Sequence, residues 1–392
     1  MNAPSGNFNY PTAYRIGAGR LRELASACRE LGMAKPLVVT DPGVAALPWF
    51  EGMLEGLDRE GLGRAVFSAV QPNPTGTDVA AGVKAFIDGE HDGIVLVGGG
   101  SAMDVGKSIA LVARNPGDVF DYEDVGDNWT RADPAKIPPM VAVPTTAGTG
   151  SEVGRAGVIV DERDHGKKII FHPKMQPGLV LADPNVTLGL PAGLTAATGM
   201  DALAHCFEAY CAPGYHPMAD GIALEGMRLV AEFLPRVFAD GSDVEARTHM
   251  MMAASMGATA FQKGLGLVHA LSHPLGGATG LHHGTANAIF LPYVMVFNRD
   301  VIEARMERLA RFLEFPQAGF EGVMQWMLAL RSQLGMPHTL EGVDGFDEAM
   351  AARLAPMAVA DPSMGTNAKP ADAAQCERVF MAALRGDLDD VG

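Results

Sequence analysis

GIVLVGGGSAMDVGKSIA, residues 93–110, is apolar at nearly every position up to three consecutive glycines and a serine, and then turns helical. A continuous apolar run suits a strand covered on both faces, and such strands joined by helices build parallel sheets. Outward from it, PLVVTD (36–41), AVFSAV (65–70) and MVAVPTT (140–146) have the same character, with LRELASACRELG (21–32) and TDVAAGVKAFIDG (77–89) as intervening helices. GVIVDE (157–162) and KKIIFHP (167–173) read as a hairpin, and GLVLADP (178–184) reads as a last strand. The pattern predicts an α/β domain with a Rossmann-like parallel sheet over residues 1–190. From Pro191 onward the periodicity is helical, as in PMADGIALEGMRLVAEFLPRVF (217–238) and EGVMQWMLALRSQLG (321–335). An all-α domain is therefore expected over 191–392, with Pro191–Gly193 as the hinge and a loop after Asp361 leading to one last helix.

Composition narrows the class of function. At 392 residues the chain exceeds one ordinary core, and its 48% apolar and 19% charged residues suit a folded enzyme. A net charge of −16 argues against nucleic acid or an anionic membrane as partner. No 18-residue apolar run and no apolar leader are present, so a cytoplasmic location is expected. Cys28, Cys206, Cys211 and Cys376 match no zinc spacing and are expected as buried thiols.

Two loops point to a cofactor. Gly98, Gly99, Gly100 and Ser101 join a strand to a helix, whose first N–H groups and partial positive charge suit a phosphate. One glycine would serve a structural turn, and three in a row favour close backbone approach to a ligand. The loop is neither GxGxxG nor a P-loop. PTTAGTGSE (144–152) also follows a strand and offers Thr145, Thr146, Thr149 and Ser151 as hydroxyl donors. Alone it reads as a turn; beside the GGGS loop it reads as the opposite wall of one cleft. Asp41, at the end of its strand, suits a ribose 2′-hydroxyl and so NAD over NADP, or else a helix N-cap before PGVAAL.

The helical half carries the other signal. GLVHALSHPLGGATGLHHGTAN (266–287) places His269, His273, His282 and His283 within fifteen residues, and GMDALAHCFEAY (199–210) places Asp201 and His205 one turn apart on an apolar helix. Unpaired polar groups in a core cost roughly 2–7 kcal/mol. A divalent metal held by Asp201, His205 and two histidines of the second cluster would satisfy them. Spacing leaves open which two. His91, His165, His216, His249 and His338 read as surface or supporting residues.

Taken in order, TDPGV, PNPT, GGGSAMDVGK, PTTAGTGSEV, LADPNVTLGLP, ATGMDALAHCFEAY, GLVHALSHPLG and HHGTANAIFLP resemble the iron-containing (group III) alcohol dehydrogenases over essentially the whole chain. The resemblance implies an NAD-binding α/β domain, a helical metal domain, and a homodimer or larger assembly. Carried onto this chain, it implies Asp201, His205, His269 and His283 as metal ligands and His273 as the proton-transfer histidine beside the nicotinamide. Asp41, Asn73, Gly98, Gly99, Gly100, Ser101, Thr145, Thr146, Thr149 and Lys168 fall on cofactor-contact positions. His282 acquires no role. Gly154 and His172 depart from the commoner Thr and Ser.

The implied chemistry is hydride transfer between NAD and a small primary alcohol, diol or short hydroxy acid such as 4-hydroxybutyrate, with the metal as Lewis acid. The family name favours Fe(II), with Zn(II) as a second candidate. A dehydroquinate-synthase-like lyase would need several basic residues around the metal, for which only Arg155 and Lys168 are candidates. Arg155 reads better as a solvated or ion-paired strand residue. The complete Asp/His/His/His set argues against a metal-free maleylacetate-reductase-like enzyme and against a non-catalytic NAD sensor.

Overall fold

The computed structural model describes residues 6–8, 12–164 and 166–391. His165 lies outside the described residues. Two compact units divide the chain, Met1–Gly189 and Leu190–Gly392.

The first unit holds β1 (Gly6–Phe8), β2 (Ala13–Ile16), β3 (Pro36–Val39), β4 (Val66–Phe67), β5 (Gly93–Gly98), β6 (Met140–Pro144) and β9 (Leu179–Ala182) in one sheet, ordered β1-β2-β9-β6-β5-β3-β4. All pairings are parallel except β1 with β2. The remaining strands, β7 (Ala156–Asp161) and β8 (Gly166–Phe171), pair with each other as the expected hairpin. The helices are α1 (Leu24–Glu30), the single turn α2 (Pro42–Ala45), α3 (Pro48–Arg59), α4 (Gly76–Asp88) and α5 (Gly100–Val112).

Alternating side chains of the buried strands face opposite layers. Val38, Val95, Val97, Val141 and Val143 pack with α1 and with Phe50, Met53, Leu54 and Leu57 of α3. Each such side chain contributes roughly 1.5–3 kcal/mol when fully buried. On the other face α5 lies so close that a Cβ on Gly106 would meet Leu96 Cδ2 at 2.1 Å and Val39 Cβ at 3.5 Å. The chain therefore leaves β3 toward one face and the adjacent β5 toward the other. That divergence opens a crevice at the carboxyl ends of the two strands, where open α/β sheets bind ligands.

Several boundaries differ from the sequence reading. The strand expected over 65–70 shortens to Val66–Phe67, because it lies at the sheet edge and pairs only with Val38 and Val39. Helix α5 starts at Gly100 rather than near Ala102, its first turn closed by the Met103 N–H donating to Gly99 O at 3.1 Å. Strand β6 ends at Pro144 rather than 146, and the Thr145 N–H then donates to Gly98 O at 3.0 Å.

The second unit contains α6 (Ala192–Cys211), α7 (Pro217–Ala239), α8 (Val244–Ala260), α9 (Leu267–Thr279), α10 (His283–Phe312), α11 (Gly319–Gln333), α12 (Glu348–Ala360) and α13 (Ala373–Arg385), with short 3-10 turns between some of them. Helix α6 is buried on all sides from Thr195 to Cys211, as a central helix should be, with Asp201, His205 and Glu208 on one otherwise apolar surface. Glycines let its neighbours approach. A Cβ on Gly257 of α8 would come within 2.9 Å of His205 Cβ, and one on Gly284 of α10 within 2.0 Å of Ala197 O. No helix among the described residues is long and apolar enough to cross a membrane.

Candidate metal and cofactor sites

In the first unit the two glycine-rich loops lie side by side, because Gly98 of β5 pairs with Pro144 of β6. Gly98 has φ +151 and a Cβ there would stand 2.6 Å from Ala102 Cβ. A Cβ on Gly99 would lie 3.3 Å from Thr146 Cγ2, and one on Gly100 2.8 Å from Thr149 Cγ2. Each of the three glycines thus meets a packing requirement of its own, which corrects the view that a turn explains only one. The requirement has a chemical result: it seats Thr146 and Thr149 against the unsatisfied N-terminus of α5, whose cap residue Gly99 supplies no side chain. Gly99, Gly100, Ser101, Thr146 and Thr149 are half-buried, whereas Thr145 is buried.

The flanks of this wall are tied down. Ser101 Oγ donates to Pro72 O at 2.7 Å, which brings the exposed Asn73 next to the start of α5. Val160 N–H of β7 donates to Pro74 O at 2.8 Å, so the hairpin abuts the same loop. Lys168, on β8 opposite Ile159, is ion-paired with Asp164 at 2.9 Å. Asp41 does cap a helix, its Oδ1 accepting from Val44 N–H at 2.9 Å, while its Oδ2 is turned to Gly98. Both sequence readings of Asp41 are therefore compatible with its placement. Arg155 is exposed with its guanidinium over the Phe171 ring.

Lys107 and Asp104 of the GGGSAMDVGK segment have structural roles that the sequence does not announce. Lys107 is wholly buried and donates to Ser151 Oγ at 2.5 Å, to Ser151 O at 3.1 Å and to Ala156 O. Asp104 accepts from Ser151 Oγ at 2.6 Å and from Val158 N–H at 2.9 Å. Burial pushes the Lys107 ammonium down from its ordinary pKa, against the pull of Asp104. Together they fasten the threonine loop and hairpin onto α5.

In the second unit, Asp201, His205 and His269 place donor atoms within 4.8 Å of one another. Asp201 Oδ1 lies 3.6 Å from His205 Nε2, 3.7 Å from His269 Nε2 and 3.5 Å from His283 Nε2. Donors bound to one ion at about 2.1 Å in a tetrahedron stand about 3.4 Å apart. Asp201, His205 and His269 have the mutual spacing and donor chemistry to hold a divalent transition metal, while His283 faces the same Asp201 oxygen from outside that compact group. His282 is exposed and precedes α10, so of the adjacent pair it is His283 that faces Asp201.

His269 is positioned by a neighbour on α6. Glu208, one turn beyond His205, accepts from Val268 N–H at 2.7 Å and faces His269 Nδ1 at 2.5 Å. It satisfies the uncapped start of α9 and turns His269 Nε2 toward Asp201, an arrangement usual for metal-binding imidazoles. Asn367 Oδ1 accepts the adjacent Leu267 N–H at 3.0 Å. Burial alone would raise the Asp201 pKa, but His205 first, with His269 and His283, holds it well below the carboxylate range. Burial likewise disfavours the His269 imidazolium, yet Glu208 and Asp201 push its pKa up to about 9.

His273, one turn beyond His269, is half-buried and stacks on His283 at 5.3 Å. Its Nδ1 lies 2.8 Å from Asp361 Oδ2, and Asp361 also accepts from Ser363 N–H. Facing a carboxylate, Nδ1 is the donor in this contact, which leaves Nε2 for other partners. The sequence reading missed Glu208 and Asp361. Glu208 had a signal, seven residues after Asp201 on one helix face; Asp361 had none, lying 88 residues from its partner. Of the other histidines, His91 is buried against Phe86, His216 caps α7, His249 stacks on Phe233 and His338 is exposed. All four cysteines are buried and free.

The family model for iron-containing alcohol dehydrogenase matches residues 11–184, and that for its C-terminal domain matches residues 195–384. The chain belongs to the iron-containing alcohol dehydrogenase family. It is 41% identical to 4-hydroxybutyrate dehydrogenase of Cupriavidus necator, over 96% of this chain and 99% of that one. It is 40% identical to NAD-dependent methanol dehydrogenase of Bacillus methanolicus, over 79% of each. Among solved structures, 1,3-propanediol oxidoreductase superposes with a TM-score of 0.89 at 32% identity, covering 98% of this chain and 100% of that one.

Proposed function

We propose that this chain is an NAD-linked, metal-dependent dehydrogenase that interconverts a short primary alcohol, diol or hydroxy acid with its aldehyde, and that 4-hydroxybutyrate is its first candidate substrate. The observation that carries this reading is the convergence of three imidazoles on Asp201 Oδ1 inside an apolar helical core. The named relatives supply the substrate range and the choice of NAD.

Asp201, His205, His269 and His283 would hold the ion, Fe(II) by family and Zn(II) as the second candidate. The backbone at the start of α5, with Thr146 and Thr149, would cradle the pyrophosphate, while Asp41 would read the ribose and Asn73 and Lys168 would flank the cofactor. When bound, the ion supplies Lewis acidity that lowers the pKa of the alcohol, and the nicotinamide supplies the hydride acceptor. The residues of the chain do the rest. Glu208 holds His269 in the tautomer that leaves Nε2 free. Asp361 holds the Nδ1 proton of His273, so that His273 Nε2 takes the proton released from the alcohol and returns it in the reverse direction. The buried thiols and the net charge of −16 support a cytoplasmic enzyme without nucleic-acid partners, and the family supports a homodimer or larger assembly.

The test is NADH formation by the Fe(II)-reconstituted protein with 4-hydroxybutyrate, 3-hydroxypropionate, 1,2-propanediol, 1,3-propanediol and ethanol, each with and without chelator. Chelator-sensitive turnover, fastest with 4-hydroxybutyrate, is expected. Silence across the panel with metal bound would overturn the substrate class. Turnover indifferent to complete metal removal would overturn the metal role.

A further inference from the structure

Asn287 lies one turn beyond His283 on α10 and is wholly buried. Its Nδ2 stands 2.8 Å from Asp201 Oδ1, 3.2 Å from His283 Nε2 and 3.3 Å from His269 Nε2. Those are three of the four atoms assigned above to the ion. An amide nitrogen has two hydrogens and cannot serve three acceptors fully. Its oxygen, on the other side, has no hydrogen-bond partner among the described residues. Leaving such an oxygen dry costs about 1–3 kcal/mol. A leucine of similar size would fill the same space on this apolar helix without that cost. The asparagine is therefore better explained by what its nitrogen does than by packing.

We propose that Asn287 is a positioning residue of the metal centre, donating through Nδ2 to Asp201 Oδ1 and so fixing the plane of that carboxylate with one lone pair of Oδ1 left for the ion. This role rests on the metal-centre reading. The geometry favours Asp201 as the principal acceptor, since its contact is the shortest of the three and the only one to a charged oxygen. A carboxylate held in this way binds through a single oxygen. Its second oxygen is kept from swinging in and taking the position that a substrate oxygen needs. The hydrogen bond also withdraws charge from the carboxylate, which leaves a bound ion more electrophilic. Gly284 makes the arrangement attainable, because its missing Cβ lets the first turn of α10 rest on the α6 backbone at Ala197.

The experiment uses the full chain, stripped and reloaded with Co(II), whose visible absorption reports coordination number. Wild type, Asn287→Leu and the smaller apolar Asn287→Val are compared for that spectrum and for the rate of Co(II) release to a chelator. The melting temperatures of the metal-free proteins serve as the folding control. Both variants should show weaker visible bands, as a carboxylate freed to bind through two oxygens raises the coordination number. Asn287→Leu should also release Co(II) about 10–100 times faster, the usual effect of losing a residue that supports a metal ligand. If Asn287→Leu fails to fold, the spectrum of Asn287→Val decides. Wild-type spectra and release rates in the folded variants would overturn the role of Asn287 and leave the metal centre standing. Failure of the wild type to bind Co(II) would remove the metal centre itself.

Discussion

The glycine–threonine wall of the first unit and the histidine cluster of the second hold their polar groups in opposite ways. In the wall, nearly every group already has a structural employment: Ser101 donates to Pro72, Asp41 caps α2, Lys107 pins Ser151, and each of Gly98, Gly99 and Gly100 admits a neighbour. In the cluster, Asp201, His205 and His269 are buried with donor atoms facing one another at 3.6–3.7 Å, beyond hydrogen-bond reach, while Asn287 and Glu208 hold Asp201 and His269 in place. A wall built on backbone and packing should tolerate the loss of one side chain in small steps. A cluster whose facing donors need a shared ion should fail all at once.

The sharpest test of that contrast is His269→Ala beside His273→Ala. The first removes one of the converging donors and strands Glu208 and Asp201, so metal content and turnover should vanish together. Loss of a Lewis acid worth several kcal/mol implies on the order of 10³-fold or more in kcat. His273→Ala should keep its metal and lose about 10²-fold in kcat, the range of a missing proton-transfer group. Metal analysis and NADH assays on both variants decide. Full metal occupancy in His269→Ala would remove it from the ligand set.

The wall is probed by Gly98→Ala against Gly154→Ala. At Gly98 the added Cβ meets both a φ of +151 and the Ala102 methyl at 2.6 Å, whereas at Gly154 its nearest neighbour is 3.5 Å away. Backbone strain and overpacking of this kind cost about 1–3 kcal/mol each. Gly98→Ala should therefore melt several degrees lower and bind NAD more weakly, and Gly154→Ala should change neither by much. Thermal denaturation with and without NAD measures both. Equal tolerance at the two positions would show that the triple-glycine loop relaxes at little cost.

The same contrast governs what was legible in the sequence. Short-period signals read well: the apolar run 93–98 became β5, and the i, i+4 pairs Asp201/His205 and His269/His273 fell on single helices. Partners brought together by tertiary packing did not. Asp361 reaches His273 across 88 residues and Asn367 reaches Leu267 across 100, with no local pattern to announce either. The glycines misled in a different way. Their sequence shows that something comes close to the backbone, and only the structure shows that Thr146, Thr149 and Ala102 already do.

Asp41 sits where the two kinds of employment overlap, and Asp41→Asn separates them with the smallest expected effect on stability. One oxygen caps α2 at Val44 N–H, while the other is turned to Gly98 at the crevice between β3 and β5. Asparagine caps a helix about as well as aspartate, so stability should move by no more than about 0.5 kcal/mol. What disappears is a negative charge at the position proposed to read the ribose. A like charge near a 2′-phosphate costs about 1–4 kcal/mol, depending on how far water screens it. The ratio of kcat/KM for NADP to that for NAD should accordingly rise about tenfold, with the melting temperature nearly unchanged. An unchanged ratio would make Asp41 a helix cap alone. A tenfold rise would mean that the carboxylate had been selecting the cofactor with the oxygen its structural role leaves free.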